Sequence, residues 1–308
     1  MSTGQGRTER GEQPIVAVIN PISGGGAAHK QWPAVAAALA ERGYTDITEI
    51  ESQSSAHATE VAAAAAARGA ITVAVGGDGH IRDVAEGVLH TPGARLGIAA
   101  AGRGNDLARH LRLPEDPVEI AAVIANGVYR MVDVLDVEVP DGSSHVAIGN
   151  LYVGLDSVAT ELINDLRWMG PLAYRVAPVL TALRWKPMKV RLTIDGEVRD
   201  ELAHFVVVAN SGDYGHGLRM VPTASVDSGR LEVLIVHGHV HSLELAPLMK
   251  EAKVGAHVGH EYVEIVSASR VELVGDADLP VHTDGDYLSA PPVTVSIRPG
   301  VLPILVSR

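Results

Sequence analysis

Val73-Ala74-Val75-Gly76-Gly77-Asp78-Gly79-His80-Ile81 begins as one kind of structure and ends as another. Residues 71–75 form a short apolar, β-branched run of the kind that makes a buried strand. After the glycines, apolar residues recur at 81, 84, 85, 88 and 89, which is helical spacing. The stretch therefore reads as strand, glycine turn, helix. Glycines lack Cβ and let the backbone approach a ligand. The N–H groups that open a helix suit a phosphate. Asp78 would repel a bare phosphate, and is better suited as an indirect Mg²⁺ ligand or as an acceptor for a hydroxyl or water. Many α/β turns are glycine-rich for steric reasons alone, so the company of this turn matters. Asn20-Pro21-Ile22-Ser23-Gly24-Gly25-Gly26 also follows an apolar strand, Ile15–Ile19, and Gly102-Arg103-Gly104-Asn105-Asp106 follows Leu96–Ala101. Three such loops in one α/β unit converge at the carboxyl edge of one sheet, where open α/β sheets bind ligands.

The 308 residues leave room for two domains. Hydrophobic residues make up 46% of the chain but include one Phe, so the core must be built from Ala, Val, Leu and Ile. A formal charge of −12 argues against a nucleic-acid binder. The absence of cysteine excludes disulfides, thiolate catalysis and Cys-ligated zinc. The polar N-terminus lacks the apolar centre of a signal peptide, and no run approaches the ~20 apolar residues of a membrane span. These features point to a cytoplasmic chain with at most peripheral contact with the inner face of the membrane.

Residues 1–13 read as a flexible tail. Residues 14–133 alternate strand and helix: strands 15–19, 46–51, 71–75, 95–100 and 129–136, helices 28–42, 56–68, 80–89, 105–111 and 117–126. This predicts a Rossmann-like parallel sheet flanked by helices, a nucleotide-binding domain. The Ala62–Ala67 run reads as a tightly packed helix. From 134 to 298 the chain is β-rich, with strands at 132–139, 145–153, 189–195, 203–210, 231–237, 262–266, 270–275 and 293–298. Turn signals such as Asp141-Gly142, Asp195-Gly196 and Ser228-Gly229 separate them. A second, antiparallel substrate domain of sandwich or barrel type is expected, with residues 299–308 returning to complete the first.

One segment of the second half departs from the acidic average. Residues 167–191 carry Arg167, Arg175, Arg184, Lys186, Lys189 and Arg191 with no acidic residue, and Trp168, Met169, Tyr174 and Trp185 are interleaved. This composition suits an anionic lipid surface. It equally suits a helix packed between domains with its arginines reaching into water. His237, His239 and His241 alternate and would share one face of a strand. A solvated strand end explains them better than zinc, because carboxylate support in the nearby sequence is thin. His257 and His260 read as bordering the interdomain cleft or lying on the surface.

The ordered motifs resemble the diacylglycerol kinase catalytic family, bacterial lipid kinases with a fold related to NAD kinase and 6-phosphofructokinase. Asn20–Gly24 resembles its first loop, Gly76-Gly77-Asp78-Gly79 its central signature, and Gly102–Asp106 with Leu107-Ala108-Arg109 its third loop. Asn150–Asp156 resembles the entry into its second domain. Ala209-Asn210, Gly215-His216-Gly217, Pro222, Ala224 and Asp227–Leu231 follow its later pattern, and Asp284-Gly285-Asp286 its closing Asp-Gly-Glu. The resemblance implies phosphoryl transfer from ATP, with Mg²⁺, to a lipid hydroxyl at a membrane surface, hence a place in phospholipid metabolism. It places the nucleotide against Asn20, Pro21, Ser23, Gly24, Ser52, Gly76, Gly77, Asp78, Gly79, His80, Gly102, Arg103 and Asn105. Asp78, Asp284 and Asp286 become the catalytic carboxylates, and one of the last pair takes the proton from the acceptor. Asp78, Asp106, Asp227 and Asp286 become the metal ligands. Phosphoryl transfer needs these parts: positioning, charge neutralisation and a base. On its own, Asp284-Gly285-Asp286 reads as an ordinary β-turn.

The chain also departs from the family. His80 stands for a threonine, Arg82 for an asparagine, Arg103 for a threonine and Asp286 for a glutamate, while Ser228 replaces an aspartate of a structural Mg²⁺ site. The added cations either grip a phosphate-rich ligand or fill the phosphate pocket. Two alternatives therefore stand beside the lipid kinase: a non-catalytic nucleotide- or phosphate-binding homologue, and a kinase of a soluble hydroxyl metabolite. The sequence leaves a homodimer open.

Overall fold

The computed structural model describes residues 13–126, 128–215 and 217–307. It divides into two compact units, residues 1–132 with 301–308, and residues 133–300. Apart from Gln13, the N-terminal tail lies outside the described residues, as does His216.

The first unit alternates strand and helix. Its elements are β1 (Ile15–Ile19), α1 (Ala27–Glu41), β2 (Ile47–Glu51), α2 (Ser55–Ala67), β3 (Ile71–Gly76), α3 (Asp78–Val88), β4 (Arg95–Ala100), α4 (Asp106–His110) and α5 (Pro117–Asn126). The strands lie parallel in the order β2-β1-β3-β4. Every residue of β1 and β3 is buried, as expected of central parallel strands covered on both faces. Ile304, near the end of the chain, pairs in parallel with Leu96 and extends this sheet beyond β4. With no Phe in this unit, Trp32 is the large filler among Ile15, Val35, Leu39, Val73 and Ile120. The alanine run of α2 has a packing reason. A Cβ on Gly87 of α3 would sit 2.3 Å from the Thr59 carbonyl oxygen and 2.7 Å from the Ala62 methyl. The two helices approach so closely that only small side chains fit.

The chain passes into the second unit along β5 (Tyr129–Glu138). Then come β6 (Ser144–Ala147), β7 (Asn150–Gly154), α6 (Leu155–Asp165), α7 (Ala173–Arg184), β8 (Met188–Ile194), β9 (Glu197–Ala209), β10 (Leu231–His237) and α8 (Leu245–Glu251). It closes with β11 (Val263–Ala268), β12 (Arg270–Val274), β13 (Val281–Thr283), β14 (Asp286–Ser289) and β15 (Val293–Leu305). Antiparallel pairing runs β14-β13-β7-β9-β8-β12-β15, with β10 joining β9 to β11 and β6 on β5. Strand β9 is the pivot. Ala203, Val206 and Val208 enter one buried cluster, and Phe205, Val207 and Ala209 enter another. Period-two alternation from Phe205 to Ala209 thus feeds two cores, and a register shift opposite Val236-His237 brings Ala203 into the cluster of Val206 and Val208.

Local details differ from the sequence reading, which did not foresee α8, β13 or β14. Strand β9 starts at Glu197, not at 203, because the two-residue turn Asp195-Gly196, with φ of 48° and 93°, sets up a hairpin with β8. The charged Glu197–Glu201 segment belongs to that hairpin's exposed arm. The β-segment 145–153 is broken at Ile148-Gly149 into β6 and β7. Between β7 and β8 the chain forms two helices, α6 and α7.

Candidate active site

The three glycine loops of the first unit meet, and steric constraint explains why they are glycine. Asn20 ends β1: its N–H donates to the Val75 carbonyl (3.0 Å), and its Oδ1 accepts from the Ile22 N–H (3.2 Å). Pro21 follows within this turn, half-buried. The Ser23 hydroxyl donates to the Ala101 carbonyl at 3.3 Å. Gly24 has a φ of 58°, and a Cβ there would lie 2.4 Å from the Ala101 carbonyl oxygen. A Cβ on Gly102 would lie 2.4 Å from the Gly77 Cα. Backbone therefore touches backbone between the first and third loops and between the second and third. The Gly102 N–H donates to Asn105 Oδ1 at 2.8 Å, and Asn105 adopts a φ of 55°, which asparagine tolerates. Ser52, at the end of β2, donates through its hydroxyl to the Ile19 carbonyl (3.2 Å). Gly76 closes β3 and is buried; Gly77 and Gly79 flank Asp78 and are half-buried.

Two carboxylates open helices here. Asp78 is the first residue of α3 and Asp106 the first of α4. Asp78 Oδ1 accepts the Leu107 N–H at 3.3 Å, which ties the start of α3 to the start of α4. Beside Asn105 a cavity of about 210 Å³ opens, with Arg109, Arg112 and Glu115 in its wall.

The three cationic departures have different placements. His80 is 6% exposed, and its Nε2 lies 2.9 Å from the Val18 carbonyl oxygen. Its ring packs under Gly76, where a Cβ would come within 2.7 Å of it. Burial holds the imidazole pKa below its ordinary value. Arg82 pairs with Asp83 at 3.0 Å, both mostly buried. Arg103 alone of the three is exposed, in the loop between Gly102 and Asn105. Two of the substitutions are thus engaged inside the first unit.

In the second unit, Asp284 sits in the turn between β13 and β14 with a φ of 49°, followed by Gly285 at 93°. Its carboxylate accepts three main-chain N–H groups: Ile148 at 3.0 Å, Gly149 at 2.9 Å and Asn150 at 3.0 Å. The Asp284 N–H donates back to the Asn150 carbonyl (3.1 Å). The break between β6 and β7 is therefore the place where Asp284 is received. Asn150 extends this bracing through its side chain to the Asp213 carbonyl and the Ser211 N–H. Asp286, the first residue of β14, is exposed. Asp227 is also exposed and accepts from the Ser225 hydroxyl at 2.6 Å. The neighbouring Ser228 hydroxyl donates to the Arg230 carbonyl.

Some site features were not evident from the sequence. Asp133 is 2% exposed, and its carboxylate accepts the N–H groups of Gly229 and Gly300, each at 2.7 Å. The sequence offered little signal, because the same strand also carries Asp136 and Glu138. Asp156 accepts from the Tyr214 hydroxyl at 3.1 Å and from its neighbour's N–H, and burial lifts its pKa to about 7. Tyr214 packs edge-on against Tyr152, and Tyr152 stacks on His282. Burial lowers the pKa of His282 to about 4 and raises that of Tyr152.

Among the described residues no group of three or more His, Asp or Glu side chains stands together as a metal cage. His237 lies 3.4 Å from Glu201 and 3.2 Å from Glu264 and stacks on His239, so carboxylates do stand near it in space.

Comparison with known proteins agrees across the chain. Residues 14–137 match the diacylglycerol kinase catalytic domain, and residues 149–306 match the YegS C-terminal NAD kinase beta sandwich-like domain. A protein of Mycobacterium tuberculosis named diacylglycerol kinase is 32% identical over 315 aligned residues, covering 100% of this chain and 99% of its own. A diacylglycerol kinase of Staphylococcus saprophyticus is 28% identical, covering 88% of each. A structure from Bacillus anthracis superposes with a TM-score of 0.77 at 21% identity, covering 96% of this chain and 98% of its own. The superposition shows the fold, and the family models and relatives show the family.

Proposed function

The chain belongs to the diacylglycerol kinase family of phosphotransferases, and from that premise we propose that it moves the γ-phosphate of ATP, with Mg²⁺, to a hydroxyl of diacylglycerol or a related lipid. The observation that carries the reading is the contact of three glycine loops at the strand ends of the first unit. It brings the N–H groups that open α3 beside backbone without side chains, which is what a triphosphate requires. Asn20, Ser23, Gly24, Ser52, Gly76–Gly79, Gly102 and Asn105 line these loops.

The donor chemistry fits Mg²⁺. This ion takes hard oxygens, commonly one or two carboxylates together with substrate phosphates and water. Asp78 and Asp106, tied through the Leu107 N–H, are the residues of the first unit that would hold it. When bound, it would neutralise charge on the transferred phosphoryl group. A full protein cage is not needed for that role.

The proton acceptor is better assigned to Asp286 than to Asp284. Both oxygens of Asp284 are occupied by main-chain donors, so it positions the turn. Asp286 is exposed and follows it by two residues. The reading of a non-catalytic homologue rested on His80, Arg82 and Arg103. The placement of His80 and Arg82 weakens that case, because the His80 ring is buried against the Val18 carbonyl and the Arg82 guanidinium pairs with Asp83.

The test is transfer of label from γ-labelled ATP by the purified chain, with Mg²⁺, to diacylglycerols, sphingoid bases and soluble polyols. Label in a lipid product is expected. A folded chain that binds ATP and labels only a soluble acceptor, or none, would overturn the proposal.

A further inference from the structure

Helix α7 is apolar on two sides. Ala173, Ala177 and Thr181 recur at i, i+4 and i+8 and are buried. A second stripe, Leu172, Val179, Leu180 and Leu183, is 49%, 56%, 41% and 61% exposed. Just before it, Trp168 is 81% exposed. A soluble helix normally carries polar residues on its outer face, so this stripe needs an occupant.

Charge chooses among occupants. Arg184, Lys186 and Lys189 follow the stripe directly and are exposed. No acidic residue occurs from Leu166 to Ile194, although the chain carries a formal −12. Across the β8–β9 pair, Lys189 stands opposite the exposed Leu202. A second copy packed isologously would bring the same cations face to face. An anionic lipid surface takes all three elements: apolar side chains into the acyl boundary, an indole at the headgroup level and cations against phosphate. No helix among the described residues is long and apolar enough to cross a membrane, so contact here is from one side.

We propose that α7, the Trp168 turn before it and the Arg184–Lys189 segment after it form a docking face for anionic bilayers. The proposal stands apart from the identity of the phosphate acceptor, because vesicle binding needs neither ATP nor turnover.

The full chain would be co-sedimented with phosphatidylcholine vesicles with and without phosphatidylglycerol, in the absence of nucleotide. Binding to the anionic vesicles only is expected, with a blue shift of indole emission that Trp168→Phe abolishes. Lys186→Gln and Lys189→Gln should each weaken binding about fivefold, and the Leu180→Ser/Leu183→Ser pair at least about tenfold. Thermal melts of each variant check folding, and these positions are exposed enough that melts should not move. No vesicle binding, equal binding to neutral vesicles, or binding indifferent to these variants would overturn the proposal. So would a dimer in sedimentation that Leu183→Ser dissociates, which would give the face to a second copy.

Discussion

Replacing Asp284 by Asn separates a structural carboxylate from a catalytic one. Asn keeps the left-handed φ of 49°, so the backbone is not the source of any effect. One side-chain oxygen still accepts from Gly149 and Asn150, now as a neutral acceptor. The other becomes an NH₂ group facing the Ile148 N–H, which was 3.0 Å from Oδ2. One charge-assisted bond is lost, at ~1.5–3 kcal/mol, and two are reduced to neutral strength. With a discount for partial exposure, the loss of stability should be about 2–4 kcal/mol, read as a lower urea midpoint with unchanged slope. Asp286→Asn is the counterpart. This exposed residue should leave stability within about 0.5 kcal/mol and lower kcat by about a hundredfold or more. An unmoved midpoint in Asp284→Asn, or full turnover in Asp286→Asn, would refute the division of labour.

Gly102→Ala should weaken ATP binding by about tenfold or more, measured by calorimetry, because its methyl would sit 2.4 Å from the Gly77 Cα and push two loops apart. His80→Thr removes a buried ring and its bond to Val18; a loss of about 2–3 kcal/mol with no gain in ATP affinity is expected. Asp156 and His282 should give opposing pH dependences. The unfolded carboxyl ionises near 4 while the native one waits until about 7, so Asp156 lowers stability as pH rises between those values. The unfolded imidazole protonates near 6.5 and the native one near 4, so His282 lowers stability as pH falls across that window. Buried His80, His204 and His257, whose pKa values are likewise lowered, add to His282, so urea titrations of the parent should show stability rising with pH between about 4 and 6.5. Asp156→Asn should steepen that rise; an unchanged slope in that variant would contradict the assignment.

The α/β half was legible because strand ends and glycine loops repeat at strand–helix boundaries, and steric contact now explains Gly24, Gly77 and Gly102. The β-rich half was legible as a class, and less so in its details. Helices α6 and α7 were obscured because α7 is apolar on two sides and the sequence suggested a charged, aromatic stretch of undecided structure. The arm of β9 was masked by Glu197, Arg199, Asp200 and Glu201, which a hairpin tolerates on an exposed face. Composition reported that His80 and Arg82 were basic residues but not which way they turn. That depends on the Val18 carbonyl and Asp83, partners fixed by packing. Asp133 and Asp284 looked alike as strand or turn carboxylates; only the amides that converge on them tell a brace from a base.

Strand β15 begins at Val293 in one unit and ends beside Leu96 in the other. The outer flank of β4 therefore stays unsatisfied during synthesis until residues past 300 leave the ribosome. A nascent chain holding the first 132 residues presents bare amides and carbonyls along that flank, open to strangers. Late closure of this kind makes the early half dependent on residues made after the second unit, and places the hazard of misassociation in the interval between them.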